Sequence, residues 1–286
     1  AVSAVEEAQQ IRQKRLSENP DDPELVRLTA SARMNLGILH RQQKLIDRSR
    51  QEFKQSLELR KPLLKTGPRN PELKRDQAMC FYNLANLEID ADRIDLAEPA
   101  LKEAIALFTQ IAEASPEEFT SRHRLALAHR LQGELSFAQY DTEEAEKSYL
   151  AARNTLQALS IENPQVFPLK QELAQLDLLL AELMFEYPEI ERAEEYLTHA
   201  VSVLDPLIES NPTTVPLLSQ VLQTRGIVLS ELGRGESAKA DLSRAIALLK
   251  QLIESDSGNT SHQSQLENAE DLLSRLVARQ PEKNKF

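Results

Sequence analysis

The chain has 286 residues, of which 41% are hydrophobic and 28% charged, with 7 glycines, no tryptophan and a single cysteine. A net charge of −11 argues against a general nucleic-acid binder, whose basic face must neutralise phosphates. One cysteine excludes an internal disulfide framework, and no apolar run approaches the ~20 residues that a membrane span needs.

The residues that dominate the composition, Ala, Leu, Glu, Gln, Lys and Arg, are those that lose least on entering a helix. The opening AVSAVEEAQQ has neither an initiator Met nor a basic-then-apolar leader, so a reducing, cytoplasmic setting is expected. Residues 1–19 read as the second helix of an incomplete repeat, with Ala1, Val5 and Ala8 on one face. A chain that begins half-way through a unit is expected to be cut from a longer polypeptide. After the break NPDDP comes a unit at 23–66, then one at 71–115, one at 116–163, one at 164–211 and one at 212–257. Each is expected to be helix, tight turn, helix; the breaks ahead of these five units carry a Pro suited to the first turn of the next helix, and a further break, SDSGN at 255–259, has none. Pro62 and Pro206 fall at one register inside second helices, where the apolar pattern runs on past them; kinks rather than ends are expected. Residues 260–279 read as a lone capping helix and 280–286 as a tail.

The units are in register. Ala1, Val5, Ala8; Ser49, Phe53, Ser56; Ala97, Leu101, Ala104; Ala145, Tyr149, Ala152; Ala193, Leu197, Ala200; and Ala238, Leu242, Ala245 recur at steps of 48, 48, 48, 48 and 45. Gly37, Ala85, Gly133, Ala181 and Gly226 precede the complete trios at steps of 48, 48, 48 and 45. A position kept to Gly or Ala inside an apolar helical pattern marks the close approach of another helix. Gly there sacrifices ~1 kcal/mol of helix propensity.

A Leu-Gly pair on a first helix followed by Ala-x3-Phe-x2-Ala on a second resembles the tetratricopeptide repeat. Leu36-Gly37 with Ser49, Phe53 and Ser56 carries it, as does Leu84-Ala85 with Ala97, Leu101 and Ala104. The common unit has ~34 residues against 48 here, so longer helices are expected, and Gln132 and Arg225 stand where leucine precedes the glycine. The long register, with ARMNLGIL and FYNLANL on first helices, is similar to arrays attached to bacterial Ser/Thr protein kinases, although no kinase motif is present. The resemblance implies an all-α solenoid of antiparallel helix pairs, a right-handed superhelix of about five repeats. Its stability is roughly a sum of repeat and nearest-neighbour terms. Leu36, Leu39, Leu84, Leu87, Leu180, Leu183 and Val228 are expected in the core from first helices. From second helices the expectation is Leu57, Leu59, Ile105, Leu107, Val201, Val203, Ile246 and Leu248.

No catalytic or metal-ligating pattern emerges, so neither enzyme activity nor a cofactor is expected. His40, His123, His129, His199 and His262 form no HExxH or His/Cys spacing, and His129 falls on the core-facing side. Cys80 stands where Ala32, Ala128, Leu176 and Val221 stand in other units, which makes it a packing residue. GRG at 233–235 lacks the ending of a phosphate loop.

The resemblance further implies that first helices line a groove for a peptide or protein. Its positions are Met34, Ile38 and Arg41; Tyr82, Asn86 and Ile89; Arg130, Glu134 and Phe137; Leu178, Glu182 and Phe185; and Gln223 with Ile227. Ile89, Phe137 and Phe185 form an apolar row, read either as packing between helices or as an exposed strip for a peptide. Met34, Ile38 and Leu131 replace the Lys, Asn and basic groups of a carboxylate clamp, so chaperone-tail binding is not expected. From Arg41 to Arg75 eleven Lys/Arg face four Asp/Glu, a local +7, readable as a solvated face or a patch for an acidic partner. The leading reading is a non-catalytic scaffold within a larger signalling protein. Its competitors are a rod that self-associates through the open N-terminal half-repeat and the regulatory region of a kinase.

Overall fold

A computed structural model of the chain describes residues 2–67, 70–255 and 259–279, without side-chain detail at 2–6, 255 and 279. Ala1 and the 280–286 tail therefore lie outside the described residues, as do the Val5 side chain and part of the 255–259 break. The described residues form twelve α-helices and no strand. They fall into two compact units, Ala1–Gln139 and Tyr140–Phe286. The first unit holds α1 (Val2–Glu18), α2 (Pro23–Gln42), α3 (Ile46–Thr66), α4 (Pro71–Asp90), α5 (Ile94–Ala114) and α6 (Phe119–Ala138). The second holds α7 (Thr142–Glu162), α8 (Phe167–Glu186), α9 (Ile190–Leu204), α10 (Val215–Glu231), α11 (Gly235–Ser255) and α12 (Thr260–Arg279). In unit 1 α2 pairs with α3 and α4 with α5; in unit 2 α8 pairs with α9 and α10 with α11.

The helix starts keep the sequence period. First helices begin at Pro23, Pro71, Phe119, Phe167 and Val215, 48 residues apart each time, and α12 follows at Thr260 after 45. Local chemistry sets these points. Asp22 and Asn70 accept hydrogen bonds from the backbone N–H groups two and three residues on, at 2.9–3.3 Å, satisfying donors that the first turn leaves open. The expectation that each break proline opens the next helix needs correction. Pro23 and Pro71 do so, but Pro116, Pro164 and Pro212 precede α6, α8 and α10 by three residues. Glu118, not the proline, caps α6 by accepting from Ser121 N–H.

The turns inside the repeats share one device. Lys44, Asp92, Tyr140 and Gly233 take φ of 60°, 56°, 62° and 74° at equivalent positions, a left-handed residue that ends the helix and lets the next N–H reach back. Arg93 N–H bonds Glu88 C=O at 2.8 Å, and Arg234 N–H bonds Leu229 C=O at 2.8 Å. Pro188 occupies that place in the fourth repeat, where its ring forbids positive φ.

The small positions are contact points. A Cβ added to Gly37 would stand 2.8 Å from the Phe53 ring, and one on Gly226 would stand 3.0 Å from Leu242. Ser49 and Ser56, the small residues of the first complete trio, donate to the Gly37 and Ala30 carbonyls at 2.7 and 2.6 Å.

The core expectation is correct for first helices except Leu39, which is half-buried, and shifted by one position on second helices. Leu57 and Val201 are buried, but Leu59, Ile105, Leu107, Val203, Ile246 and Leu248 are only half-buried. The buried stripe instead continues the trio at helical spacing through Leu63, Phe108, Ile111, Leu156, Leu159, Leu204, Leu207 and Leu249, since every third or fourth residue returns to one face. The two register-matched prolines also part ways. α3 runs through Pro62 to Thr66, whereas α9 stops at Leu204 and Asp205–Leu207 form a 3-10 turn, so Pro206 marks an end and not a kink.

Candidate functional site

In unit 1, α2 packs beside α4, which brings the first-helix positions onto neighbouring helices. Met34, Ile38, Tyr82 and Ile89 are half-buried against the core cluster built around Phe53, Leu87 and Leu101. Each thus keeps part of its apolar surface in solvent. Arg41 reaches Asp90 at 2.6 Å, tying the end of α2 to that of α4. The Asn86 amide donates to the Tyr82 carbonyl of its own helix at 2.9 Å. On α6, Arg130 bridges Glu134 at 3.0 Å one turn on, and Phe137 is half-buried. Burial nevertheless holds the Glu134 carboxyl above its usual range, Arg130 only partly offsetting it.

In unit 2 the row divides. Leu178 is completely buried and belongs to the core, and Gln223 is buried with its side-chain oxygen accepting from Asn268 at 2.8 Å. Phe185 and Ile227 remain exposed, at 36% and 37%. Glu182 is half-buried, has no cation beside it among the described residues, and burial raises its pKa. Ile227 borders a notch of about 250 Å³ whose apolar wall is Gly226, Leu242, Leu272 and Leu276, with Glu231 and Arg275 at its edge.

Several charged side chains that no local motif announces hold helices together. Arg50 forms a two-toothed contact with the buried Glu88, at 2.6 and 2.8 Å, joining α3 to α4. Asp177 on α8, fully buried, lies 2.6 Å from Arg153 Nε of α7 and 2.5 Å from His199 Nδ1 of α9. Arg225 clasps Asp241 at 2.7 and 2.8 Å. Their members are 16 to 38 residues apart in the chain, so only the fold assembles them. Cys80 is fully buried, its thiol points at the Phe53 carbonyl at 3.5 Å, and burial pushes its pKa up to about 11. Such a thiol is a packing group and not a nucleophile. His129, expected on the core-facing side, is half-buried. Among the described residues no three His, Cys, Asp or Glu side chains gather as a metal site, and no helix is long and apolar enough to cross a membrane.

The tetratricopeptide repeat family model matches residues 29–72, the stretch that spans most of α2, all of α3 and the start of α4. No curated protein matches the sequence. Among solved structures, BtubC (BKLC) from P. vanneervenii is similar with a TM-score of 0.63 and 18% identity, over 90% of this chain and 91% of that one. Aspartyl phosphate phosphatase F from Bacillus subtilis gives 0.61 and 15%, over 92% of this chain and 63% of its own. The apo form of RapI gives 0.56 and 14%, over 97% and 91%. The likeness is one of fold. With a 48-residue period, paired helices and small residues at their crossings, the described residues have a tetratricopeptide-like helical-repeat fold, and the family model matches one stretch of it.

Proposed function

We propose that the chain is a non-catalytic scaffold that holds a peptide or protein against the first-helix faces of its repeats. The observation that carries this reading is the row of apolar side chains left part-solvated on neighbouring first helices. Met34, Ile38, Tyr82 and Ile89 stand in unit 1, and Phe185 and Ile227 in unit 2. Apolar strips with interspersed polar groups suit an extended or helical peptide, which supplies alternate side chains to the strip. Glu182, a carboxylate partly desolvated without a cation, favours a basic residue in the bound segment of unit 2. The finer assignment, to a segment of a larger signalling protein, is supported by the long-register resemblance and by the fold shared with an aspartyl phosphate phosphatase.

Peptides selected from a displayed library on the whole chain test the scaffold. Binders should lose about tenfold or more in affinity, ~1.4 kcal/mol, on Ile38→Asp or Phe185→Asp while Lys54→Asp leaves them unchanged. Equal loss at all three places would sink the reading. Light scattering separates the rod: a mass of 32.3 kDa at every concentration opposes it.

A further inference from the structure

On a different side of α2 from that row, an open cleft of about 470 Å³ lies between α1, α2 and α3. Its lining includes Gln9 and Gln13 from α1, Arg33 and His40 from α2, and Arg48 and Glu52 from α3. Gln9 is only 5% exposed, and neither its amide nitrogen nor its amide oxygen has a hydrogen-bond partner among the described residues. A buried amide offers two donors and an acceptor, and leaving these unmatched costs about 1–3 kcal/mol, so the group calls for an occupant. The charges in the cleft are not all spent. Arg33 and Glu52 neutralise each other at 2.8 Å, whereas Arg48 stands exposed at the mouth with no acid paired to it among the described residues.

Register sharpens the point. One repeat later, 48 residues on, Gln9, Arg33, Arg48 and Glu52 become Leu57, Phe81, Leu96 and Ala100, and there Leu57 and Ala100 are plain core. The same helical frame is thus lined with polar groups in the first repeat, where apolar ones stand in the second.

We propose that this cleft is a binding site for a small monoanion that joins a carboxylate to an amide, the chemistry of an N-acylated amino acid. The carboxylate pairs with Arg48 in the forked geometry that guanidinium favours, and the ligand amide meets the Gln9 amide donor-to-acceptor and acceptor-to-donor.

Calorimetric titration of the whole chain with N-acetylglycine, beside acetate and acetamide, tests it. N-acetylglycine should bind at least tenfold more tightly than either half. Arg48→Ala, an exposed change with no effect on folding, should weaken it tenfold or more. Gln9→Leu, the residue of the next repeat, should abolish it without lowering the melting temperature. A tripeptide ending in a free glycine carboxylate distinguishes sources: tighter binding than N-acetylglycine assigns the site to a polypeptide end, weaker binding to a free small molecule. No heat with N-acetylglycine at millimolar concentration, binding no tighter than acetate, or unchanged binding in Arg48→Ala overturns the proposal and leaves a water-filled cleft.

Discussion

Gly37 shows how much one residue can carry. The sequence marks it as a close approach, yet not what approaches; the answer, the Phe53 ring sixteen residues on, needs the fold. Alanine there gains ~1 kcal/mol of helix propensity, but its methyl would sit 2.8 and 2.9 Å from two ring carbons, and overpacking of this kind costs about 1–3 kcal/mol. Gly37→Ala should therefore destabilise the chain by about 1 kcal/mol in urea unfolding. The next repeat carries Ala85 and Leu101 at the matching positions, both in the core cluster. Gly37→Ala with Phe53→Leu should accordingly show a favourable coupling of about 1 kcal/mol in a double-mutant cycle; strict additivity would refute the contact. Glu182 offers a second residue-scale test. Its folded-state pKa is raised above the ordinary 4.5 by burial, so the folded chain holds that proton more tightly than the unfolded one. Stability must then decline as pH climbs from about 4.5 through the raised value, and stay reduced above it. Glu182→Gln should melt higher than the parent at neutral pH and no differently well below 4.5.

At the scale of elements, the buried stripe of the second helices is the part of the core that the sequence places one residue out. The trio fixes the face, and helical spacing carries that face to Leu63, Phe108, Leu156, Leu204 and Leu249. Apolar neighbours such as Leu59 and Leu107 hide the shift, because runs like LLK and ALF look greasy on both sides. The stripe has one exception. Arg60 holds the place of Phe108, Leu156, Leu204 and Leu249, is 1% exposed, and keeps an Nε without a partner. Its guanidinium touches Ser56 and Ser31, with Asp76 as distant as 3.9 Å, and burial pulls its pKa down. A buried charge so loosely paired is often less stable than an apolar residue of like volume, by about 1–4 kcal/mol. Arg60→Leu should raise the melting temperature, and a drop would show that the serine contacts outweigh desolvation. Prolines were legible as breaks, but only Pro23 and Pro71, each just after a capping Asp22 or Asn70, also open the next helix; at α6 the cap is Glu118, two residues past Pro116.

For the whole molecule, period and small-residue register were enough to read an all-α repeat protein, because each repeat buries its greasy side only against its neighbour and so must keep pitch. The candidate site was legible only in part. Ile38, Tyr82 and Ile89 sit half-solvated on first helices, but Leu178 is core, and the Gln9 cleft had no signal in the one-dimensional pattern beyond its departure from Leu57. Charge adds a feature that the total conceals. Unit 1 carries 21 Asp/Glu and 21 Lys/Arg, so the net −11 resides wholly in unit 2, with 24 against 13. Like charge on a compact body opposes folding through self-repulsion, and salt relieves it by shortening the screening length from about 10 Å at 0.1 M to about 3 Å at 1 M. Attractive pairs such as Arg244–Asp205 and Arg234–Glu194, exposed on unit 2, are screened as well, but exposed pairs contribute only about 0–1 kcal/mol each. Hydrogen exchange measured peptide by peptide should then show protection in α8–α11 rising with added sodium chloride while α2–α5 change little. Equal responses in the two units, or a loss of protection in α8–α11, would mean that the acidic excess is spread too thinly over the surface of unit 2 to repel.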